Sequence, residues 1–207
     1  TSRMTPLDVA RMLRLRPETA HKGTMGHALL VAGSAGVGGC AVLGAESCLR
    51  SGVGKLTVCT PECNRLLLQL SVPEAVLRLL PHGGDDGASW EAEEFARWQA
   101  VGIGPGIGLL AVGLLHDVAE RSAGLPMVVD ADALRILAVH PEWMPMLRGR
   151  AVLTPHGGEM QALASGILHA DAPLHTDSML LAAAGRLATE FRVCVVLKGH
   201  PTHVCHP

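Results

Sequence analysis

ALLVAGSAGVGGCAVLGAESCLRSG, residues 28–52, carries the reading of the chain. A short apolar run of strand length leads into a loop with glycines at 33, 36, 38 and 39, and an apolar segment of helical period follows. Glycine lets backbone N–H groups turn toward an anion at the start of a helix. The loop therefore reads either as a cradle for phosphate or amide groups, or as a tight turn that lets the helix pack close to the strand. Its order is not G-x-G-x-x-G, and the next strand ends at Thr60 instead of an acidic residue that would take a ribose. A hydride-transferring dinucleotide enzyme is a poor match.

The same alternation runs along the chain. Strand candidates lie at 28–32, 55–59, 99–103, 126–130, 150–153 and 192–197, and helix candidates at 39–51, 62–70, 109–121, 132–139, 157–164 and 177–190. Such alternation predicts an α/β fold with a mainly parallel sheet covered by helices on both faces. A further helix is expected over 5–15, where Thr5 is the N-cap, Pro6 stands at N1 and Asp8 at N3. No repeat or linker interrupts the chain, the most loop-like insert is PHGGDDGAS at 81–89, and residues 1–207 read as one domain.

Composition narrows the function. The net charge is −2 with no basic block, and two Phe, three Trp and no Tyr leave few platforms for stacking bases, so nucleic acid is not a predicted partner. Two uncharged runs, 23–45 and 98–116, are long enough to span a bilayer, but glycine clusters interrupt both and Pro105 the second, which argues against a membrane partner. The six cysteines have neither CxxC spacing nor the density of a disulfide-rich scaffold, and read as buried free thiols of a reducing cytosol.

The unusual clusters follow the strands: GSAGVGG at 33–39, TPE at 60–62, GIGPGIG at 102–108, DAD at 130–132, TPHGGEM at 154–160 and KGHPT at 198–202. In a parallel sheet these loops emerge at the carboxyl edge, where open α/β folds bind ligands. GIGPGIG repeats the glycine device, with Pro105 stiffening the turn. Asp130 ends a strand and is a candidate for a polar or metal-linked role, whereas Asp132 reads as a helix cap. His156 sits at a helix mouth, and Glu159 in the first turn suits either a water-coordinated magnesium or the helix cap. Lys198 leaves a buried strand where it would neutralise phosphate oxygens, or simply solubilise a strand end. His169, His175 and His206 have no ligand spacing and are read as surface residues.

Taken in order, HKGTMGHALLVAGS, GCAVLGAESCLRSGVGKLTV, VPEAV, GIGPGIG, VVDADAL, VLTPHGGEM and VVLKGHPT resemble the NAD(P)H-hydrate dehydratase family. The resemblance covers essentially the whole chain and implies a three-layer α/β/α ribokinase-like fold. It implies repair of NADH or NADPH hydrated on the nicotinamide ring (NAD(P)HX), with ADP or ATP and Mg2+. The nucleotide phosphorylates the ring hydroxyl, and phosphate then leaves as the double bond is restored. Carried over position by position, the damaged dinucleotide would contact Cys40, Gly106 and His156, and the adenine nucleotide Lys198, Gly199, His200, Pro201 and Thr202. Cys40 replaces the alanine usual there. The resemblance also implies a cytoplasmic homo-oligomer and a fused or separate NAD(P)HX epimerase, because in many relatives an epimerase domain precedes the helix that TPLDVARML resembles.

The family's catalytic base is an aspartate in a Gly-x-Gly-Asp motif that residues 1–207 do not contain, so the expectation is that this stretch alone binds nucleotide weakly and turns over nothing. It is also expected to leave an apolar sheet face open, with a strand-like run at 202–205 lacking a following partner. Two rival readings remain at the level of sequence. One is a ribokinase-like vitamin-precursor kinase that releases a stable phosphorylated product, and the other a non-catalytic nucleotide-binding module.

Overall fold

The computed structural model describes residues 2–13, 16–80, 90, 91 and 93–207. The insert expected at 81–89 lies outside the described residues. Among the described residues seven strands run parallel: β1 (His27–Val31), β2 (Lys55–Pro61), β3 (Val76–Leu80), β4 (Ala100–Ile103), β5 (Met127–Val129), β6 (Ala151–Leu153) and β7 (Cys194–Leu197). An eighth, β8 (His203–Cys205), pairs antiparallel with β7 and lies at one edge of the sheet. The run at 202–205 is therefore a strand that pairs with β7 and, among the described residues, has no strand on its other side.

The spatial order is β3-β2-β1-β4-β5-β6-β7-β8. The chain winds outward from β1 in one direction, returns to β4 beside β1, and winds outward in the other. A right-handed crossover fed in opposite directions puts its helices on opposite faces, which gives the three layers.

Register assigns the faces. Leu30, Gly102, Val128, Val152 and Cys194 are paired in sequence across β1, β4, β5, β6 and β7, and so share one face. On this face α2 (Gly39–Arg50) and α3 (Arg65–Ser71) bury Ala41, Ala45, Leu68 and Val72 with Leu56 and Val58. The neighbouring rows, through Met127, Val129, Leu153 and Val195, join the larger core with α4 (Val112–Arg121), α5 (Asp132–Val139), α6 (Met144–Leu147), α7 (Gly157–Ile167) and α8 (Asp177–Phe191). Beyond β4 the first face is thinly covered. Val128 is 45% exposed, and a cavity of about 520 Å³ lies along Val152, Cys194 and Arg192.

Helix boundaries follow local chemistry. Helix α1 (Pro6–Met12) has the expected Thr5 cap, with Asp8 completing the capping box, but buries none of its residues. Helix α4 starts at Val112, later than 109, because the glycine turn extends through 109–111 and leaves Leu109 and Leu110 exposed. Strand β3 was not expected: VLRLL has apolar residues at both strand and helix spacing, and only pairing with β2 decides it. No helix is long and apolar enough to cross a membrane among the described residues. Of the six cysteines, all free, only Cys59 is fully buried, and Cys63 is exposed. Burial pushes the Cys59 thiol up to about 12.

Two predictions follow from this packing. A methyl added to Gly166 in α7 would occupy the position of the Ala138 carbonyl at the end of α5, whereas one added to Gly185 in α8 meets nothing within 4 Å. Gly166→Ala should destabilise by about 1–3 kcal/mol through overpacking. Gly185→Ala should stabilise by about 0.5–1 kcal/mol through helix propensity. Urea midpoints moving in the same direction would contradict the α5–α7 contact. In the native protein a thiol-alkylating reagent should modify Cys63 first and reach Cys59 only on unfolding, as read by peptide mass spectrometry.

Candidate functional site

The carboxyl ends of β1 and β4 are adjacent, and the two glycine loops meet there. The Gly33 amide donates to the Pro105 carbonyl at 2.9 Å, and the Cys40 thiol donates to the carbonyls of Pro105 and Val37, each at 3.2 Å. Burial pushes the Cys40 thiol up, which keeps it protonated in this role. A side chain on Gly106 would strike Cys40 and Val37, so the loops approach as closely as they do because position 106 has none. The structure thus brings together Cys40 and Gly106, two of the positions that the family resemblance implies for the dinucleotide.

The first glycine loop divides its work. Gly38 is buried against Asn64 and Leu67, where an added Cβ would come within 2.7 Å of the Asn64 side-chain oxygen. It is a packing glycine, which is the tight-turn reading. Gly36 and Gly39 are exposed with nothing within 4 Å, and they line open space at the start of α2. Asn64 was missed in the sequence. Its amide donates to the Thr60 hydroxyl at 3.0 Å and the Ser34 carbonyl at 3.3 Å, tying the end of β2 to the loop.

A second group forms beyond β5. His156 is the N-cap of α7: its Nδ1 accepts from the Gly158 amide at 3.0 Å, while the Glu159 carboxylate accepts from the His156 amide at 2.9 Å. Glu159 is only 5% exposed, and its other oxygen lies 3.3 Å from His156 Nε2. It therefore completes the capping box of α7 from its first turn, held in place by a backbone donor. The Lys198 amide donates to the Pro155 carbonyl at 2.8 Å, carrying the β6–β7 pairing past the strand ends. The Lys198 ammonium lies 2.7 Å from Asp130 and 3.8 Å from Glu159. Gly199, His200, Pro201 and Thr202 form the exposed turn between β7 and β8, and the Thr202 hydroxyl closes it on the Gly199 carbonyl at 3.1 Å.

The two groups are joined by the turn at 130–132. Asp132 does not cap α5, since Ala131 is the N-cap residue and makes no side-chain cap bond. Its carboxylate instead accepts from the Gly108 amide at 3.0 Å and so fixes the far end of the second glycine loop. Loops from β1, β4, β5, β6 and β7 thus converge on one edge, with exposed backbone at one end and a lysine bracketed by carboxylates at the other. Such an edge is suited to an extended, anion-bearing ligand or to two ligands side by side.

Comparison with known proteins agrees with this geometry. The family model described as NAD(P)H-hydrate dehydratase matches residues 28–207. The chain is 31% identical over 205 residues to an ADP-dependent (S)-NAD(P)H-hydrate dehydratase of Listeria monocytogenes, covering 98% of this chain and 68% of that protein. It is 34% identical over 198 residues to a bifunctional NAD(P)H-hydrate repair enzyme of Synechocystis, covering 93% of this chain and 35% of that one. A crystal structure of the ADP/ATP-dependent NAD(P)H-hydrate dehydratase from Bacillus subtilis, co-crystallised with ATP and Mg2+, superposes with a TM-score of 0.75 at 29% identity, over 98% of this chain and 68% of that one. The chain thus spans about two thirds of the single-function relatives and about a third of the bifunctional one. With its three-layer, mostly parallel α/β fold and its loops converging on one sheet edge, the chain belongs to the NAD(P)H-hydrate dehydratase family.

Proposed function

We propose that this chain serves the repair of hydrated NADH or NADPH, coupling removal of water from NAD(P)HX to consumption of ADP or ATP. The observation that carries the reading is the continuous set of strand-end contacts. Two glycine loops meet at the β1–β4 junction, and the 130–132 turn joins them to a lysine held beside an exposed hairpin. The dinucleotide lies along Cys40, Gly106 and His156, with its backbone-facing oxygens toward Gly36 and Gly39. The nucleotide lies against Lys198, Gly199, His200, Pro201 and Thr202, whose exposed main chain suits an adenosine and its phosphates.

Magnesium fits the residues present. Glu159 is a buried carboxylate already engaged by a backbone amide and His156, so it would hold the ion through water instead of directly, with Asp130 near the same lysine. Bound there, the ion would offset phosphate charge. Lys198 orients the phosphate chain, and His156 fixes the mouth of α7. The proton-abstracting aspartate of the family is assigned to no residue of this sequence. Other features support the wider reading. Leu43, Leu66 and Leu70 expose apolar surface on α2 and α3 that a second copy would cover in a homo-oligomer. Six free thiols suit the cytoplasm. The bifunctional relative supports an epimerase as fused or separate partner.

The test is to supply hydrated NADH with ADP and magnesium to the protein that carries this chain. Recovery of the reduced-nicotinamide absorbance with equal release of phosphate is the expected result. A stable phosphorylated product would assign a kinase of the same fold, and nucleotide binding without turnover a binding module. Lys198→Ala should weaken ADP binding roughly tenfold to a hundredfold, the scale of a charge-assisted hydrogen bond. Unchanged titration would make Lys198 a surface lysine. Gly106→Val should strike Cys40 and Val37, force the two glycine loops apart and weaken NADPH binding while sparing ADP; loss of both together would contradict two separate subsites.

A further inference from the structure

Away from the strand-end loops, a second group of ionisable side chains gathers where α4 meets the turn Pro141–Trp143. His116, Asp117 and Glu120 on α4 each offer one ligand atom, and these atoms all lie within 4.8 Å of one another. Helical spacing brings them together: 116 and 120 stand one turn apart on the same face, and 117 and 120 are i,i+3 neighbours. Modest side-chain rotation then carries an imidazole nitrogen and two carboxylate oxygens to the roughly 2.0–2.2 Å bonds that a zinc-class ion requires. Helix α4 runs back from the second glycine loop, and its end touches Arg150 at the opposite edge of the sheet. The group is therefore separate from the proposed dinucleotide and nucleotide contacts.

Two features point to a cation there. Glu120 lies in the last turn of α4, where the helix dipole disfavours a carboxylate, and Asp117 adds a like charge beside it. Among the described residues neither pairs with a lysine or arginine: Arg121 in the same turn makes no ion pair, and Arg150 directs its donors to main-chain carbonyls. A bound cation would offset that charge. The imidazole is also positioned in advance. Its ring stands edge-on to Trp143 at 5.0 Å between centroids, and His140 stacks on the same indole at 4.2 Å. A side chain held by such contacts loses little freedom when it takes a ligand. The donor set selects the class of ion, because one imidazole with two carboxylates favours a late first-row divalent metal over magnesium, which prefers oxygen ligands and keeps its water. We propose that His116, Asp117 and Glu120 form a binding site for a divalent transition-metal ion of the zinc class. Three donors from one helix leave the remaining coordination positions to water, so the ion is held at the surface and exchanges.

The test is calorimetric titration of Zn2+ into the protein that carries this chain, without nucleotide or polyhistidine tag, and with the exposed Cys63 alkylated so that its thiol does not compete. The unmodified protein should bind Zn2+ in the presence of millimolar magnesium. His116→Gln should weaken that binding about tenfold or more, and Glu120→Gln, at an exposed side chain, severalfold. His140→Gln should leave it unchanged, since His140 belongs to a different pair, 3.0 Å from Glu142. The second readout is indole emission. Cu2+ takes the same donors and should quench Trp143 saturably, and His116→Gln or Trp143→Phe should remove that component. No Zn2+ binding, equal affinity in the unmodified protein, H116Q and E120Q, or displacement by magnesium would overturn the proposal. Loss in H140Q with H116Q unaffected would place the ion on His140 and Glu142 and overturn it too. Should H116Q fail to fold, E120Q and the Cu2+ quenching still decide.

Discussion

The structure depends on one close approach, the Gly33 amide on the Pro105 carbonyl at 2.9 Å. It closes the point where strand order reverses, between the first strand the chain lays down and the one it returns to after two crossovers. At such a reversal the connecting loops leave in opposite directions and open a crevice at the carboxyl edge. Two glycine-rich turns must fit there side by side. The small Cys40 thiol and the absent side chain of Gly106 let them do so, and the exposed backbone that remains is what a ligand can use.

From that point the edge is assembled by neighbours fixing neighbours. Asp132 holds the end of the second glycine loop, Asp130 holds Lys198, and Glu159 holds the cap of α7 and stands beside the same lysine. The opposite edge of the sheet is maintained differently. The half-buried Arg150 guanidinium donates to the carbonyls of Ala119, Ser122, Leu125 and Met146, gathering the end of α4, the bend before β5 and α6 around one cation. One edge is stabilised internally, and the other retains polar groups directed outward. This asymmetry is what separates the site from the scaffold.

Much of this was legible in the sequence, for a definite reason. Apolar runs of strand length ended by glycine or proline announce strands and their loops locally, and a parallel sheet then gathers those loops at one edge whatever the strand order. His156, Lys198 and the glycine loop at 102–108 were found that way, whereas Cys40 and Gly106 as ligand contacts came from the family resemblance alone. What escaped depends on contacts distant in sequence. Strand β3 exists because VLRLL pairs with β2. Asp132 looked like a cap, yet it bonds an amide 24 residues away. Gly36 and Gly38 look alike in the sequence, and only the position of Asn64 makes one a packing glycine and leaves the other open. The six cysteines have similar composition signals, but only Cys59 is fully buried, inside the sheet between Val31 and Arg78, whereas Cys205 ends the same row on the edge strand and is half-buried.

The central claim is that one sheet edge carries two adjoining subsites, with nucleotide at the β7 end. Hydrogen–deuterium exchange of the protein with and without ADP and magnesium tests it most directly. The account predicts that exchange slows at 198–202 and in the turns at 130–132 and 156–159, while 33–39 and 104–108 change only when NADPH is added as well. Protection by ADP centred on the glycine loops at the β1–β4 junction, or at the opposite edge of the sheet around Arg150, would contradict it.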